Sequence, residues 1–256
     1  MQAINRRTVV SGLALLALCR AARAGIPEQL SVDADEGPVA LTRYPADRAA
    51  KRPGVLLLHG SRGFELKPHA YQRYANALSA KGIDAYLLRY LTAADAPVFD
   101  PKTSTREKRE AYETARFDSW AKRVSSVVTS ILARPDSSGR IGLLGFSLGG
   151  YVAADTAARD ERIAALAVLY GGMPDAMVAQ VRHLPPLIEL HGEADTNVPP
   201  AKGEELVKLG KAIGAEAEFV TYPGRRHGFD FSDTDPMTAD AVSRITKFFE
   251  ARLNLN

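Results

Sequence analysis

The sequence has 256 residues, of which 46% are hydrophobic and 25% are charged, and its formal net charge is +3. This is ordinary globular composition, and the length suits one α/β domain better than two. Four of the basic residues lie in 1–24, and the charge of −1 that remains without them predicts no nucleic-acid partner and no binding to an anionic membrane surface. Beyond the N-terminus there is no run of about 18 apolar residues, so no stable membrane insertion is expected there.

The N-terminal segment 1–24 has the pattern of a signal peptide. The basic pair Arg6-Arg7 precedes an apolar stretch over 8–18, and 22–24 read Ala-Arg-Ala, the small-x-small form of a cleavage site. The paired arginines favour the twin-arginine route over the Sec route. The sequence therefore predicts an exported protein, periplasmic or secreted, that engages the export machinery.

Removal of this segment would change the charge balance of the chain. The segment holds four of the 33 basic residues and no acidic residue, so 29 basic and 30 acidic residues would remain, a net charge of −1. The only cysteine, Cys19, would leave as well, and no internal disulfide could then form. Cys19 would also suit lipid attachment, but the bulky Leu18 before it disfavours that alternative.

The remaining chain, 25–256, is predicted to be a single domain in which short apolar runs alternate with amphipathic segments. Unbroken apolar runs are typical of a parallel sheet covered by helices on both faces. The predicted strands are 55–58, 85–88, 141–144, 166–169, 187–190 and 219–222, with 39–43 as an antiparallel strand at one edge. The fold class is therefore α/β, with a doubly wound, mostly parallel sheet and the functional site at the carboxyl ends of its strands.

Two helices are marked by the spacing of their apolar residues and by their first residues. Asp235 followed by Pro236 predicts the start of the last helix, with Asp235 as its N-cap. The apolar face of that helix is predicted to carry Ala239, Val242, Ile245 and Phe249. One face of an earlier helix is predicted to carry Trp120, Val124, Val127 and Ile131.

The connection over 91–118 is longer than a plain crossover requires. Ser104 and Glu107 have the spacing of a capping box, and a highly charged helical stretch follows them. One interpretation is a solvated surface helix. The other is a small cap-like insertion beside the functional site.

The segment 145–150 reads Gly-Phe-Ser-Leu-Gly-Gly, directly after a predicted strand and before an alanine-rich helix. In this position G-x-S-x-G is typical of an elbow that exposes a serine nucleophile, here Ser147, at the positive end of a helix. A phosphate-binding loop is disfavoured, because the segment does not fit G-x-G-x-x-G and no G-x-x-x-x-G-K-[ST] occurs. A catalytic metal is not expected, because neither H-E-x-x-H nor a cysteine cluster is present.

A serine nucleophile needs a base, and the base needs an acid to orient it. Asp195 follows one predicted strand and His227 follows the next, so Ser147, Asp195 and His227 each fall at the carboxyl end of a strand. Glu193 is a rival to Asp195 that lies closer to its strand. His191, which precedes a glycine at a strand end, is predicted to shape a loop, as is His59.

The oxyanion of such a reaction needs two N–H donors. The backbone amide of Leu148, directly after the nucleophile, is predicted to be one. Ser61 is predicted to supply the other, with Arg62 as the alternative. The residues predicted to line the substrate pocket are Arg62, Phe64, Arg89, Tyr90, Trp120 and Tyr151.

Four of these segments together resemble the dienelactone hydrolase family. They are the H-G-x-x-G loop at 59–63, the elbow at 145–150, HGEADTNVP at 191–199 and RHGF at 226–229, and the resemblance extends over roughly 35–252. It implies an α/β-hydrolase fold, no cofactor and the hydrolysis of esters or lactones.

The sequence departs from that family's pattern at the nucleophile and at the substrate-carboxylate site. Members proper use cysteine where Ser147 stands, and they carry a glutamate where the oxyanion loop has Gly60 and an arginine shortly after the histidine. A serine esterase acting on a small-molecule ester or lactone is therefore expected. The alternatives are a peptidase or perhydrolase with the same three residues, and an exported binding protein without turnover.

Overall fold

The computed structural model of the protein describes residues 25–47, 51–100 and 102–253. The predicted signal at 1–24 lies outside these described residues. Within them, no helix is both long enough and apolar enough to cross a membrane.

The described chain is built around one sheet. Its strands are β1 Glu28–Val32, β2 Val39–Tyr44, β3 Arg52–Leu58, β4 Asp84–Leu88, β5 Ser137–Phe146, β6 Ile163–Leu169, β7 Leu187–Gly192 and β8 Ala217–Tyr222. Their order across the sheet is β1-β2-β4-β3-β5-β6-β7-β8. The pairs β1–β2 and β2–β4 are antiparallel, and every later pair is parallel. The predicted mostly parallel α/β sheet is confirmed.

The antiparallel direction of β2 is confirmed, but its predicted position at the edge of the sheet is wrong. The strand β1 pairs with the outer side of β2, from Glu28 opposite Arg43 to Val32 opposite Val39. Most of β1 is solvent-exposed. It therefore lacks the apolar run by which the buried strands are recognised in the sequence.

Helices cover both faces of the sheet. They are α1 Pro68–Ser79, α2 Arg106–Leu132, α3 Leu148–Arg159, α4 Asp175–Val178, α5 Pro200–Ala212 and α6 Pro236–Leu253. One core contains apolar side chains of α2, α3 and α5, and the other contains those of α1 and α6. Alternate residues of β3 enter different cores, Leu56 and Leu58 on one side and Val55 and Leu57 on the other.

The long connection after β4 contains a short 3₁₀ helix at Ala96–Phe99 and then α2, which continues into the core. The face predicted for α2 is confirmed, since Trp120, Val124, Val127 and Ile131 are all buried. The helix already begins at Arg106, so its first half is the charged stretch of the sequence. Its N-cap is Thr105, whose hydroxyl accepts a hydrogen bond from the Lys108 amide at 3.3 Å. The predicted cap at Ser104 is wrong by one residue.

The start of α6 is confirmed, because the amide of Met237 donates to Asp235 at 2.9 Å. Its predicted face is wrong at Ala239, which is exposed, and the buried position is Thr238. Thr238 enters the core without leaving a polar group unpaired, since its hydroxyl donates to the carbonyl oxygen of Ser232 at 2.9 Å.

Candidate active site

Ser147 lies at a sharp turn between the end of β5 and the start of α3. Its backbone has φ 54° and ψ −122°, a conformation that is strained for a residue with a side chain. The Ser147 amide donates to the carbonyl oxygen of Leu169 at 3.0 Å, which fixes the turn to β6. The hydroxyl therefore stands at the N-terminal end of α3, where the helix dipole favours negative charge.

Glycines on both sides of Ser147 allow this turn to pack closely. A Cβ atom on Gly145 would lie 2.2 Å from the carbonyl oxygen of Gly149. One on Gly149 would lie 2.3 Å from the carbonyl oxygen of Leu58, the last residue of β3. Both obstacles are main chain, which cannot move aside, so the elbow requires glycine at these two positions.

The structure brings Ser147, Asp195 and His227 together at the carboxyl end of the sheet. His227 Nε2 lies 2.9 Å from Ser147 Oγ, and His227 Nδ1 lies 2.7 Å from Asp195 Oδ2. Asp195 is buried, while Ser147 and His227 are half-buried. The ring of Tyr170, at the end of β6, packs against His227 with 4.6 Å between centroids. The imidazole is thus held between an acid and a hydroxyl.

Asp195 is surrounded by donors. Its Oδ1 accepts hydrogen bonds from the amides of Asn197 at 2.8 Å and Val198 at 3.0 Å, and His191 Nε2 lies 3.4 Å from Oδ2. Burial opposes ionisation, but the hydrogen bonds from His191 and His227 outweigh it and hold the pKa of Asp195 well below its usual range. Asp195 is therefore a carboxylate.

Glu193, the rival acid, is placed differently. Its side chain is exposed and accepts a hydrogen bond from the hydroxyl of Thr221 at 2.9 Å. The histidine at the centre of the site is hydrogen-bonded by Asp195 instead.

Ser61 and Leu148, the predicted oxyanion donors, both line the cavity beside Ser147. Leu148 is the first residue of α3, so its amide has no acceptor within the helix. In the described chain the Ser61 amide donates to no backbone carbonyl. A Cβ atom on Gly60 would lie 3.4 Å from Ser147 Cβ, so the loop that carries Ser61 passes close to the serine.

Ser147 and His227 open into a cavity of about 850 Å³. Its volume is typical of small-molecule sites. Much of its wall comes from the first half of α2, and its charged lining residues are Arg62, Arg106, Arg109, Glu110, Glu113, Asp175 and Lys202. Burial and then the neighbouring Glu110 raise the pKa of Glu113 to about 7. Among the described residues, no group of three or more His, Cys, Asp or Glu is arranged to hold a metal ion.

Of the predicted pocket residues, Arg62 and Tyr151 line this cavity, whereas Arg89, Tyr90 and Trp120 do not. Tyr90 is fully buried, and its hydroxyl donates to the carbonyl oxygen of His59 at 3.0 Å. Trp120 is also fully buried and donates to Asp95 at 3.2 Å. Arg89 instead forms a half-exposed ion pair with Glu65. Phe64, another predicted lining residue, is buried against His59.

Two sets of site residues were not predicted. The first is the cavity face of α2, whose spacing from Arg106 through Arg109 and Glu113 to Phe117 is one helical face and could have been recognised. The second is the pair of Glu189 and His191, which are hydrogen-bonded to each other at 2.8 Å. In the sequence, a glutamate inside the apolar run of β7 indicates a buried carboxylate, which needs a partner such as His191.

Several solved structures of hydrolases share the fold of this chain. The dienelactone hydrolase from Anabaena variabilis superposes with a TM-score of 0.71 at 22% identity, covering 89% of this chain and 99% of that one. An esterase from Pyrobaculum calidifontis gives 0.67 at 20% identity, covering 90% and 86%. An acylaminoacyl peptidase from Pyrococcus horikoshii gives 0.69 at 13% identity, covering 90% of this chain but 42% of that one. The fold is therefore that of the α/β-hydrolases.

Sequence comparisons give a narrower assignment. Mouse lysophospholipase-like protein 1 is 27% identical over 136 residues, which are 50% of this chain and 57% of that protein. The model of the dienelactone hydrolase family matches residues 40–253. Family and fold together support a hydrolase of ester-like substrates. Because the match to the family model spans most of the sequence, the chain belongs to the dienelactone hydrolase family.

Proposed function

We propose that the protein is a serine hydrolase that cleaves carboxylic esters or lactones of small molecules through an acyl-enzyme on Ser147. The observation that carries the proposal is the unbroken hydrogen-bonded path from Ser147 Oγ through His227 to Asp195, with distances of 2.9 Å and 2.7 Å. The Ser147 end of this path opens into a cavity that Ser61 and Leu148 also line.

In the acylation step, Ser147 Oγ attacks the ester carbonyl carbon while His227 Nε2 takes the hydroxyl proton. Asp195 accepts the Nδ1 proton of His227 in a hydrogen bond and stabilises the imidazolium that forms. The amides of Ser61 and Leu148 donate to the oxyanion of the tetrahedral intermediate. His227 then gives its proton to the departing alkoxide, and the acyl group remains on Ser147.

Deacylation repeats these steps with water in place of the serine hydroxyl. His227 takes a proton from the water as the oxygen attacks the acyl carbon, and the same amides hold the second oxyanion. Collapse of that intermediate returns the proton to Ser147 Oγ and releases the carboxylic acid. In a lactone the acid and the alcohol leave as one molecule.

The deciding experiment replaces Ser147 with alanine. We expect Ser147→Ala to lower kcat on p-nitrophenyl acetate by about 10⁶, as removal of an activated nucleophile does elsewhere, and to abolish labelling by a fluorophosphonate probe. The matched control is Ser137→Ala, at the opposite end of β5, which should keep both properties. Undiminished turnover in Ser147→Ala would refute the proposal. A wild type that neither reacts with the probe nor turns over would favour the non-catalytic binding protein.

The range of esters accepted can be sorted by charge and acyl length. Arg62 and Arg109 line the cavity together with Glu113. Because the pKa of Glu113 is about 7, its carboxyl is neutral in part of the protein molecules at neutral pH. A series of p-nitrophenyl esters of increasing acyl length, each with and without a terminal carboxylate, would measure this range through kcat/KM.

A further inference from the structure

Behind Asp195 lies a buried ion pair that the reaction described above does not use. Glu189 and His191, on β7, are both fully buried. Glu189 Oε1 lies 2.8 Å from His191 Nδ1, and His191 Nε2 lies 3.4 Å from Asp195 Oδ2 and 3.0 Å from the carbonyl oxygen of Val198. With His227, these groups continue the path from Ser147 into the interior.

The protonation state of His191 follows from what surrounds its ring. Each ring nitrogen faces only acceptors, a carboxylate at Nδ1 and a carbonyl with a carboxylate at Nε2, and only the imidazolium donates from both nitrogens. Burial alone would lower the pKa of His191, but hydrogen bonds to Asp195 and Glu189 outweigh burial and raise it to about 10. His191 is therefore a cation at neutral pH.

Glu189 depends on His191 for charge compensation. Burial raises the pKa of Glu189, and His191 acts against that change. The second oxygen, Oε2, is buried and accepts no hydrogen bond from the described residues. The helix α5 makes room for the carboxylate through Gly203, where a Cβ atom would lie 2.5 Å from Glu189 Cδ.

Few other ionisable groups face this pair. The strand β8 contributes the ring of Phe219, with a centroid 6.4 Å from that of His191. From α5, Lys202 is paired with Asp175, and Gly203 lies against Glu189. The titratable groups that face the pair are Asp195 on the following loop, His227 through Asp195, and Tyr151 on α3, whose phenol is influenced by the charges of Glu189 and Glu205.

We infer that Glu189 and His191 are positioning residues, which hold an imidazolium behind Asp195 and so set the pH range in which His227 can act as the base. The inference rests on the proposed esterase function, because it concerns the base of that reaction. A cation beside Asp195 opposes a second cation on His227.

The test is the acid limb of the pH profile of kcat/KM on p-nitrophenyl acetate. Glu189→Gln keeps the shape of the side chain but removes one of the two carboxylates that favour the imidazolium of His191, so the neutral ring becomes more populated. We expect the limb to move to higher pH by about one unit, which is about a tenfold loss below the limb with little change on the plateau. His191→Gln should move the limb in the same direction.

The matched control is Glu193→Gln, which removes an exposed carboxylate two residues from both His191 and Asp195. Its profile should coincide with that of the wild type. If Glu189→Gln lowers the plateau and leaves the limb in place, the pair has only a structural role and the inference is wrong.

A second measurement needs no variant of the pair. Nitrogen-15 NMR of the histidine rings at about pH 8 should show both nitrogens of His191 protonated in the wild type. A neutral His191 ring at that pH would overturn the inference.

The pH dependence of inactivation by a fluorophosphonate tests the proposed serine hydrolase function separately from the positioning role of Glu189 and His191. A wild type that does not react at any pH contradicts the proposed function. A reactive wild type whose profile is superimposable on that of Glu189→Gln contradicts the positioning role alone.

Discussion

Two buried aspartates, Asp195 and Asp230, lie near His227, and they receive hydrogen bonds from different kinds of donor. Asp195 is 5% exposed and receives hydrogen bonds from two backbone amides and from His227. Asp230 is 0% exposed and receives them from the phenols of Tyr74 at 3.0 Å and Tyr170 at 2.9 Å. The ring of Tyr170 packs against His227, so both carboxyls are connected to the same imidazole.

Their donors determine the direction in which each pKa is shifted. Burial raises the pKa of Asp230, and the hydrogen bonds from Tyr170 and Tyr74 offset that only in part. Burial acts on Asp195 in the same direction, but His191 and His227 outweigh it and lower its pKa. Burial alone therefore does not make a carboxyl neutral. A carboxyl remains an anion in the interior when cationic or strongly polar donors surround it.

The largest expected difference between the two aspartates is in turnover. Asp195→Asn should lower kcat on p-nitrophenyl acetate by about 10⁴, because an amide neither orients the reactive tautomer of His227 nor stabilises its cation. Asp230→Asn keeps an acceptor oxygen for one phenol and presents an amide donor to the oxygen of the other, so its loss of kcat should remain below about tenfold. Equal losses in the two variants would remove the functional distinction between these residues.

The next expected effect is on the free energy of unfolding, and it concerns Asp230. Asp230→Ala leaves the phenols of Tyr74 and Tyr170 without their acceptor, which should lower the free energy of unfolding by about 3 kcal/mol. Asp230→Asn should cost less than about 1 kcal/mol, since an acceptor oxygen remains. Urea denaturation of both variants at neutral pH measures this. If Asp230→Asn lowers the free energy of unfolding as much as Asp230→Ala does, the charge of Asp230 is needed for stability.

The pH dependence of stability should have opposite slopes at the two sites. The folded pKa of Asp230 lies above its ordinary 3.8, so its stabilising contribution is present below that pH and is lost as the pH rises through the folded value. The folded pKa of Asp195 lies below 3.8, so its contribution is present above 3.8 and is lost as the pH falls toward the folded value.

The contrast can be measured as the free energy of unfolding of the wild type minus that of each asparagine variant. This difference should fall with rising pH above about pH 4 for Asp230, and rise with pH below about pH 4 for Asp195. Slopes of the same sign would show that the folded pKa of one of the two carboxyls is shifted in the other direction.

The smallest expected effect concerns the phenol of Tyr170. Tyr170→Phe keeps the ring against His227 and removes one donor to Asp230, so it should cost about 1 kcal/mol of stability and change kcat by less than about threefold. Tyr74→Phe removes the other donor and is the matched control, with a similar stability loss and unchanged kcat. If kcat falls sharply in Tyr170→Phe alone, the hydroxyl of Tyr170 positions His227.

Much of the sheet could be predicted from the sequence, because buried parallel strands are short, unbroken apolar runs. The same runs indicate where strands end, so the meeting of Ser147, Asp195 and His227 followed from their positions after β5, β7 and β8. The strand β1 could not be predicted in this way, because a largely exposed edge strand has no such run.

Errors arose where the tertiary path of a helix decides the outcome. Trp120 and Tyr90 carry polar groups on large rings and look suited to a pocket, but α2 directs Trp120 into the core, where Asp95 accepts its N–H. Thr238 is buried because Ser232 supplies a nearby acceptor, which periodicity does not reveal. The direction of the His191 ring is likewise a property of the assembled fold.

The close approach of Gly149 to Leu58 has a consequence for how this protein can change over evolution. Main chain touches main chain there, so no side chain separates the elbow of Ser147 from the strand that leads to Ser61. The main-chain spacing between the elbow and β3 is therefore insensitive to side-chain rotamers. Residues on the cavity face of α2 can be exchanged, and the range of molecules admitted can drift, while the reacting atoms keep their places.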